Sequence, residues 1–324
     1  MKAMILEKIG RIEDKPLHMV DLQEPSIKGS ELLVKIITCG VCRSNLHLIE
    51  GDWLKYGIPP KLPIIPGHEI IGKVESIGEE VKHFREGDRV GIQPLYSSCL
   101  NCEYCLSGNE HLCNERQIVG DTENGGYAEY IKINELFAYR VPDNIDDKAA
   151  PLFCPGVTAY RAVKMAMPQP NEKIGIFGIG GVGHIAIQIA KLYGVEVIAI
   201  TRSKLHQELA YKLGAKIGYD GSSLDKAIVF APSNDAIKMA IKSVKKGGII
   251  VLGVFGSIDE FMFVDEKIIK GSVIGSRKDM KDVLDLASKG LIKIITEEFR
   301  LDDANEALKR LKNGLIEGRA VLRI

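Results

Sequence analysis

Apolar positions in the first half of the chain fall in short runs rich in β-branched residues: LLVKIIT, IIGKVESIG, DRVGIQ and YAEYIKI. Glycine and proline clusters such as GIPPKLPIIPG separate them. This half is expected to be largely β with irregular connections. Near Cys154 the texture changes. From Ile174 a strand (IGIFG), a glycine turn opening an apolar-periodic helix (GGVGHIAIQIAKLYG) and a second strand (VEVIAIT) succeed one another. The alternation continues as HQELAYKLGA before KIGYD, then NDAIKMAIKSV before GGIIVLGVF. Strands alternating with helices imply a parallel sheet covered on both faces. Beyond SVIGS comes RKDMKDVLDLASKG, a helix ended by glycine, and the chain finishes in LDDANEALKRLKNG and RAVLRI.

Composition narrows the function classes. At 324 residues the chain is long for one domain and about right for two. A 45% hydrophobic content suffices for a sizeable core. Lys+Arg and Asp+Glu number 43 each, and a net charge of zero argues against gripping nucleic acid or an anionic membrane electrostatically. Charges interrupt the only apolar run of MKAMILEKIGRIEDK, unlike a signal peptide. The most apolar stretch, 174–200, is broken by glycines and polar residues, short of the roughly 18 apolar residues a membrane helix needs. A cytoplasmic protein is expected. Seven cysteines, an odd number, do not suit a fully paired disulfide framework.

Gly178, Gly180 and Gly183 make GxGxxG, with Gly181 and Val182 inside it, between an apolar strand and a helix. In that context the glycines permit a tight turn and let backbone N–H groups approach a pyrophosphate at the helix N-terminus. A plain glycine turn between buried elements is the competing reading. Dinucleotide folds that prefer NAD place an acid at the end of the second strand. Here Thr201, Arg202, Ser203 and Lys204 follow Ile200, with no acid. Hydroxyls with Arg or Lys suit a 2′-phosphate, so NADP(H) is favoured over NAD(H). The alternative is that Arg202 and Lys204 form only a solvated helix start.

Four cysteines, Cys99, Cys102, Cys105 and Cys113, form C-x2-C-x2-C-x7-C. Short spacings let one loop wrap thiolates around a tetrahedral ion, and four sulfurs leave no open position, as in a structural zinc site. The rival, an iron–sulfur run, ends C-x3-C-P, whereas Asn114 follows Cys113 here. Cys39, Cys42 and Cys154 remain. Spacing alone does not join Cys42, His68 and Cys154; His68 reads equally as a buried histidine, and Cys154 as a small core residue.

The succession CGVCRSNLH, PGHE, a four-cysteine lobe, LFCPGVTAY and GxGGxG, with GDRV and GGYAEY, resembles the zinc-dependent medium-chain alcohol dehydrogenases over essentially the whole chain. The branch it looks most like is bacterial and archaeal, near the NADP-using cinnamyl-alcohol-type enzymes. The resemblance implies an α/β protein with a Rossmann doubly wound cofactor domain and a mainly-β GroES-like catalytic domain. Expected boundaries are 1–154 for the catalytic domain with its zinc lobe at 95–115, 155–274 for the cofactor domain, and 275–324 for a return to the first.

By the same resemblance Cys42, His68 and Cys154 match catalytic zinc ligands that leave a fourth position for water or substrate. Glu69 matches an acid near the metal. Ser44 matches the hydroxyl that takes the alcohol proton, and His47 the outer end of that relay. Arg43 matches a contact to cofactor phosphate and Thr158 one to the nicotinamide end; Cys39 has no ligand counterpart and reads as packing. Two zincs per subunit, a small alcohol, aldehyde or ketone substrate, and a homo-oligomer (tetramer or dimer) are implied. Two departures stand out: Asn45 where the family has an aspartate orienting the zinc-bound histidine, and Pro155 where Gly or Ala is commoner. A zinc-independent enoyl or quinone reductase on this scaffold, and a non-catalytic nucleotide sensor, are the competing functions.

Overall fold

A computed structural model describes residues 1–221, 223–259 and 261–324. The chain divides into two compact units. One is Met1–Cys154 with Ser276–Ser288 and Ile294–Ile324; the other is Pro155–Gly275 with Lys289–Lys293. The short segment Lys289–Lys293 thus groups with the second unit, whereas the sequence reading assigns all of 275–324 to the first.

The first unit is built on β3 (Glu31–Val41). Leu32, Val34 and Ile36 face the core while Lys35 points out, but the last four residues, Thr38–Val41, are all buried. A period-two strand therefore runs into a dry end and delivers the chain to Cys42. Around it, β4 (Ile70–Ile77), β5 (Arg89–Ile92), β8 (Tyr130–Asn134) and β9 (Ala138–Arg140) pair antiparallel. From the far end of the chain, β17 (Arg319–Arg323) pairs antiparallel with β3, from Ala320 opposite Val41 to Arg323 opposite Thr38, and β16 (Thr296–Arg300) lies parallel beyond it. A separate pair, β1 (Lys2–Leu6) and β2 (Leu17–Asp21), contributes Met4, Leu6 and Leu17 to the same core. Two short antiparallel strands, β6 (Leu95–Ser97) and β7 (Gln117–Ile118), close the base of the cysteine lobe. Helices α1 (Arg43–Glu50), α2 (Glu103–Leu106), α7 (Arg277–Ser288) and α8 (Ala304–Lys312) complete this unit.

Among the described residues of the second unit, six strands are all parallel, in the order β12-β11-β10-β13-β14-β15. They are β10 (Lys173–Phe177), β11 (Glu196–Ile200), β12 (Lys216–Ile217), β13 (Leu224–Val229), β14 (Val244–Leu252) and β15 (Ile268–Gly271). The chain starts at β10, moves outward to β12 and returns on the other side at β13, the reversal of a doubly wound sheet. Its helices are α3 (Pro155–Ala166), α4 (Gly183–Lys191), α5 (Lys204–Lys212) and α6 (Asn234–Ser243). This is the Rossmann-type layout expected for the chain. Among the described residues, no helix is long and apolar enough to cross a membrane.

Candidate active site

Cys42 stands between β3 and α1 as the helix N-cap. Its thiol accepts from the Asn45 backbone N–H, and the Asn45 side-chain oxygen accepts from the Cys42 N–H at 3.2 Å. Amides and dipole at a helix N-terminus favour a thiolate there. His68 and Glu69 enter from the loop before β4, through Gly67 at φ +95°. A Cβ on Gly67 would lie 2.4 Å from the Tyr127 ring, so glycine is required for the backbone to pass beneath it. Cys154 ends a 3-10 segment, Asp147–Phe153, that packs against β3. These routes converge. The Cys42 and Cys154 sulfurs are 3.9 Å apart, and one donor atom each from Cys42, His68, Glu69 and Cys154 lies within 4.8 Å of all the others.

That geometry fits a metal ion. Sulfurs about 2.3 Å from a tetrahedral centre stand roughly 3.8 Å apart. The electrostatics fit as well. The hydrogen bond between the thiols drives Cys42 well below and Cys154 well above the usual thiol range, because two adjacent sulfurs resist ionising together. Burial opposes charge on His68, but the hydrogen bond and charge of Cys42 outweigh it and raise its pKa. Burial likewise pushes the Glu69 carboxyl up, and the Arg319 guanidinium pulls it back. Arg319 donates to Glu69 Oε1, while Glu69 Oε2 is buried with no hydrogen-bond partner among the described residues. A cation would satisfy that oxygen and let both thiols ionise. Gly40 makes the space: a Cβ there would fall 1.9 Å from Glu69 Oε2.

Ser44 and His47 lie three residues apart on α1 and so share a face. Ser44 Oγ is 3.3 Å from His68 Nε2, beside the cluster. On the other side of the His68 ring, Asn45 Nδ2 lies 3.3 Å from Nδ1, and the Tyr127 hydroxyl donates to Asn45 Oδ1 at 3.3 Å. Arg43, the first residue of α1, is exposed. Cys39 is fully buried, and desolvation raises its thiol far above the ordinary range. It is a packing residue.

In the lobe, the sulfurs of Cys99, Cys102, Cys105 and Cys113 lie within 4.8 Å of one another, with contacts of 3.5, 3.6 and 3.9 Å. Those spacings also match a tetrahedral thiolate set. The backbone N–H of Asn101, pointing at the Cys99 sulfur, leads the effects that bring its pKa down to about 7. The buried Glu110 of the lobe accepts from the Arg277 backbone N–H at 3.0 Å and from its Nε at 2.8 Å. This pair fastens the lobe to the start of α7.

The glycine turn follows β10, and the Gly178 N–H donates to Ile200 O at 2.9 Å. This places Thr201, Arg202 and Ser203, which follow β11, beside it. Gly178 has φ +94° and meets Ala231 closely, and a Cβ on Gly183 would fall 2.1 Å from Gly178 O. A Cβ on Gly180, in contrast, would meet nothing within 4 Å among the described residues. The turn is tight on its inner side and open at Gly180, as a cradle for a phosphate group requires. Ser203 caps α5, accepting from the His206 N–H at 3.4 Å. Thr158 sits half-buried in the first turn of α3.

The chain matches the family described as alcohol dehydrogenase GroES-like domain over residues 28–143 and that described as zinc-binding dehydrogenase over 181–289. It belongs to the zinc-type alcohol dehydrogenase family. An alcohol dehydrogenase of Geobacillus stearothermophilus is 40% identical, with 100% of both chains covered. A NAD-dependent alcohol dehydrogenase of Sulfurisphaera tokodaii is 34% identical over 99% of each. Among solved structures, the alcohol dehydrogenase of Aeropyrum pernix superposes with a TM-score of 0.92 at 29% identity, covering 100% of both chains.

Four side chains of this family member escape a reading of its sequence. Arg319, on the terminal strand, is 250 residues from its partner Glu69. Burying an acid demands a cation, but nothing in the spacing says which. Arg277 and Glu110 are likewise joined only by the fold. Asp52 also went unread, although it follows His47 by only five residues and comes directly after a glycine; its Oδ2 is 2.7 Å from His47 Nδ1.

Proposed function

We propose that the protein catalyses reversible hydride transfer between a primary or secondary alcohol and NADP(H), with one catalytic and one structural zinc per chain. Cys42, His68 and Cys154 would hold the first ion, with Glu69 as a fourth donor in reach, and the four lobe cysteines the second. The observation that carries this reading is the meeting of two thiols and an imidazole beside the Ser44 hydroxyl. When bound, the zinc supplies Lewis acidity at the substrate oxygen and the nicotinamide exchanges the hydride. The side chains do the rest. Ser44 takes the hydroxyl proton and passes its own toward His47 on the same face of α1. Arg43 faces solvent at the start of α1, free to pair with a cofactor phosphate. Thr201 and Arg202, next to the glycine turn, offer a hydroxyl and a cation to a 2′-phosphate, where NAD-binding folds offer a carboxylate.

An oligomer formed through the cofactor unit fits the exposed edge. Strand β15 ends the sheet, and Phe261, Met262, Phe263, Val264, Ile268 and Val273 around it are 45–80% exposed. Light scattering during size exclusion reads the assembly directly.

The deciding experiment is steady-state kinetics with NAD(H) and NADP(H) over aliphatic, benzylic and cinnamyl alcohols and aldehydes, with metal analysis of the same preparation. The expected result is NADP(H) preference and two zincs per chain. His68→Ala should abolish turnover while cofactor still binds. Retained activity in that variant would sink the metal mechanism, and a clear NAD preference would overturn the role given to Thr201 and Arg202.

A further inference from the structure

Helix α1 ends at Gly51, whose left-handed backbone (φ +73°) turns the chain back on itself. The N–H groups of Gly51 and Asp52 both reach the His47 carbonyl, the second at 2.9 Å. This reversal folds the next two side chains onto the His47 ring. Asp52 Oδ2 lies 2.7 Å from Nδ1, and the Trp53 ring stands 5.5 Å away, tilted by 34°. Backbone, carboxylate and indole thus grip one imidazole that is itself three-quarters buried. An ionised carboxylate only accepts hydrogen bonds, so the ring nitrogen facing it must carry hydrogen. In the neutral ring, Nε2 is then left with its lone pair.

We propose that Asp52 is a positioning residue for proton transfer: it holds His47 as the Nδ1–H tautomer, with Nε2 free to accept, while Trp53 restricts the ring. The inference rests on the relay assigned above to Ser44 and His47. The proton released at Ser44 travels out along the relay and is bonded by Nε2, the ring becomes an imidazolium facing the carboxylate, and a proton is then given up to water. Without Asp52 the ring can rotate or place its hydrogen on Nε2, where it cannot accept.

The test uses the zinc-loaded full chain. Two-bond 15N–1H correlations of labelled histidine should show His47 as Nδ1–H in the wild type and shifted to a mixed or Nε2–H population in Asp52→Ala. Asp52 is half exposed, so this variant keeps its fold. In the same variant kcat for alcohol oxidation should fall about tenfold or more, with KM and cofactor affinity within about twofold. Asp52→Asn, whose amide oxygen still accepts, should fall between. His47→Gln should lose at least as much, and the double variant D52A/H47Q no more than His47→Gln alone. An unchanged tautomer in D52A overturns the proposal, as does an unchanged kcat in D52A while H47Q is impaired. Full kcat in H47Q overturns it through the relay and leaves the zinc chemistry standing. A wild type that oxidises no alcohol refutes the function assigned above, and the tautomer measurement alone then decides whether Asp52 holds the ring.

Discussion

Replacing Arg319 with Met removes the guanidinium from a pair in which Arg319 is 3% and Glu69 0% exposed. Methionine keeps much of the apolar stem, so the loss is mainly of charge. Glu69 would then have to stay ionised in a dry site beside two thiols or take up a proton. Removing one partner of a buried pair costs about 3–5 kcal/mol, and in a unit of this size each kcal/mol lowers Tm by about 2–4 °C. The zinc-loaded variant should therefore melt roughly 6–20 °C below the wild type. Trp53 is the chain's one tryptophan and lies in the first unit, so its fluorescence follows the unit that contains the pair. Glu69→Gln alone should also destabilise, since it strands Arg319. The double variant R319M/E69Q should recover much of the loss, with a coupling of about 2 kcal/mol or more. Additive effects, or a loss below about 1 kcal/mol in R319M, would show that the pair behaves as an exposed one and that Arg319 does not hold Glu69.

In the lobe, Cys105→Ser should lower zinc content by one equivalent and open residues 98–116 to limited proteolysis, with turnover falling only as the folded fraction falls. In the glycine turn, Gly180→Ala adds a methyl into open space. It should leave thermal stability within about 0.5 kcal/mol while weakening NADPH binding about tenfold or more by fluorescence titration, the size of one or two lost phosphate hydrogen bonds. Gly183→Ala, forced against Gly178 O, should cost stability of about 1–3 kcal/mol even without cofactor. At His68, Asn45→Asp provides acceptors for both the Cys42 N–H and the ring, and zinc release to a competing chelator should slow by about tenfold.

The fold was legible wherever local pattern and burial agree. The β-branched run of β3 and the glycine-opened helix α4 show plainly in the sequence, and both elements form. Strand β13, at the centre of the parallel sheet, was not singled out: LDKAIV mixes two charges into its apolar run. Its neighbours β10 and β14 on either side, not its own period, settle its conformation. At the edge, KIGYD shrinks to the two residues of β12, because only β11 is there to pair with it.

The site divides along the same line. Residues brought in by tight local geometry could be read from spacing: the four cysteines of one loop and the glycines of one turn; Ser44 and His47, though they share one helical face, were assigned only by resemblance. Cys42, His68 and Cys154 could be joined only by resemblance, since β3, the loop before β4 and the segment after Asp147 meet through sheet packing. Arg319 is more remote still. It reaches Glu69 because β17 pairs with β3 in a register that puts Ala320 opposite Val41, next to Cys42. A single slip of that register would turn the arginine to the other face. The last strand of the chain therefore sets the charge balance of a site whose other members all precede residue 155. Asn45 makes the complementary point. Its identity was visible at once, but its consequence follows only from its neighbours: one amide oxygen already accepts from Cys42 and Tyr127, leaving the amide nitrogen to face His68. An aspartate has a second oxygen for the ring, and an asparagine must surrender one bond to make the other.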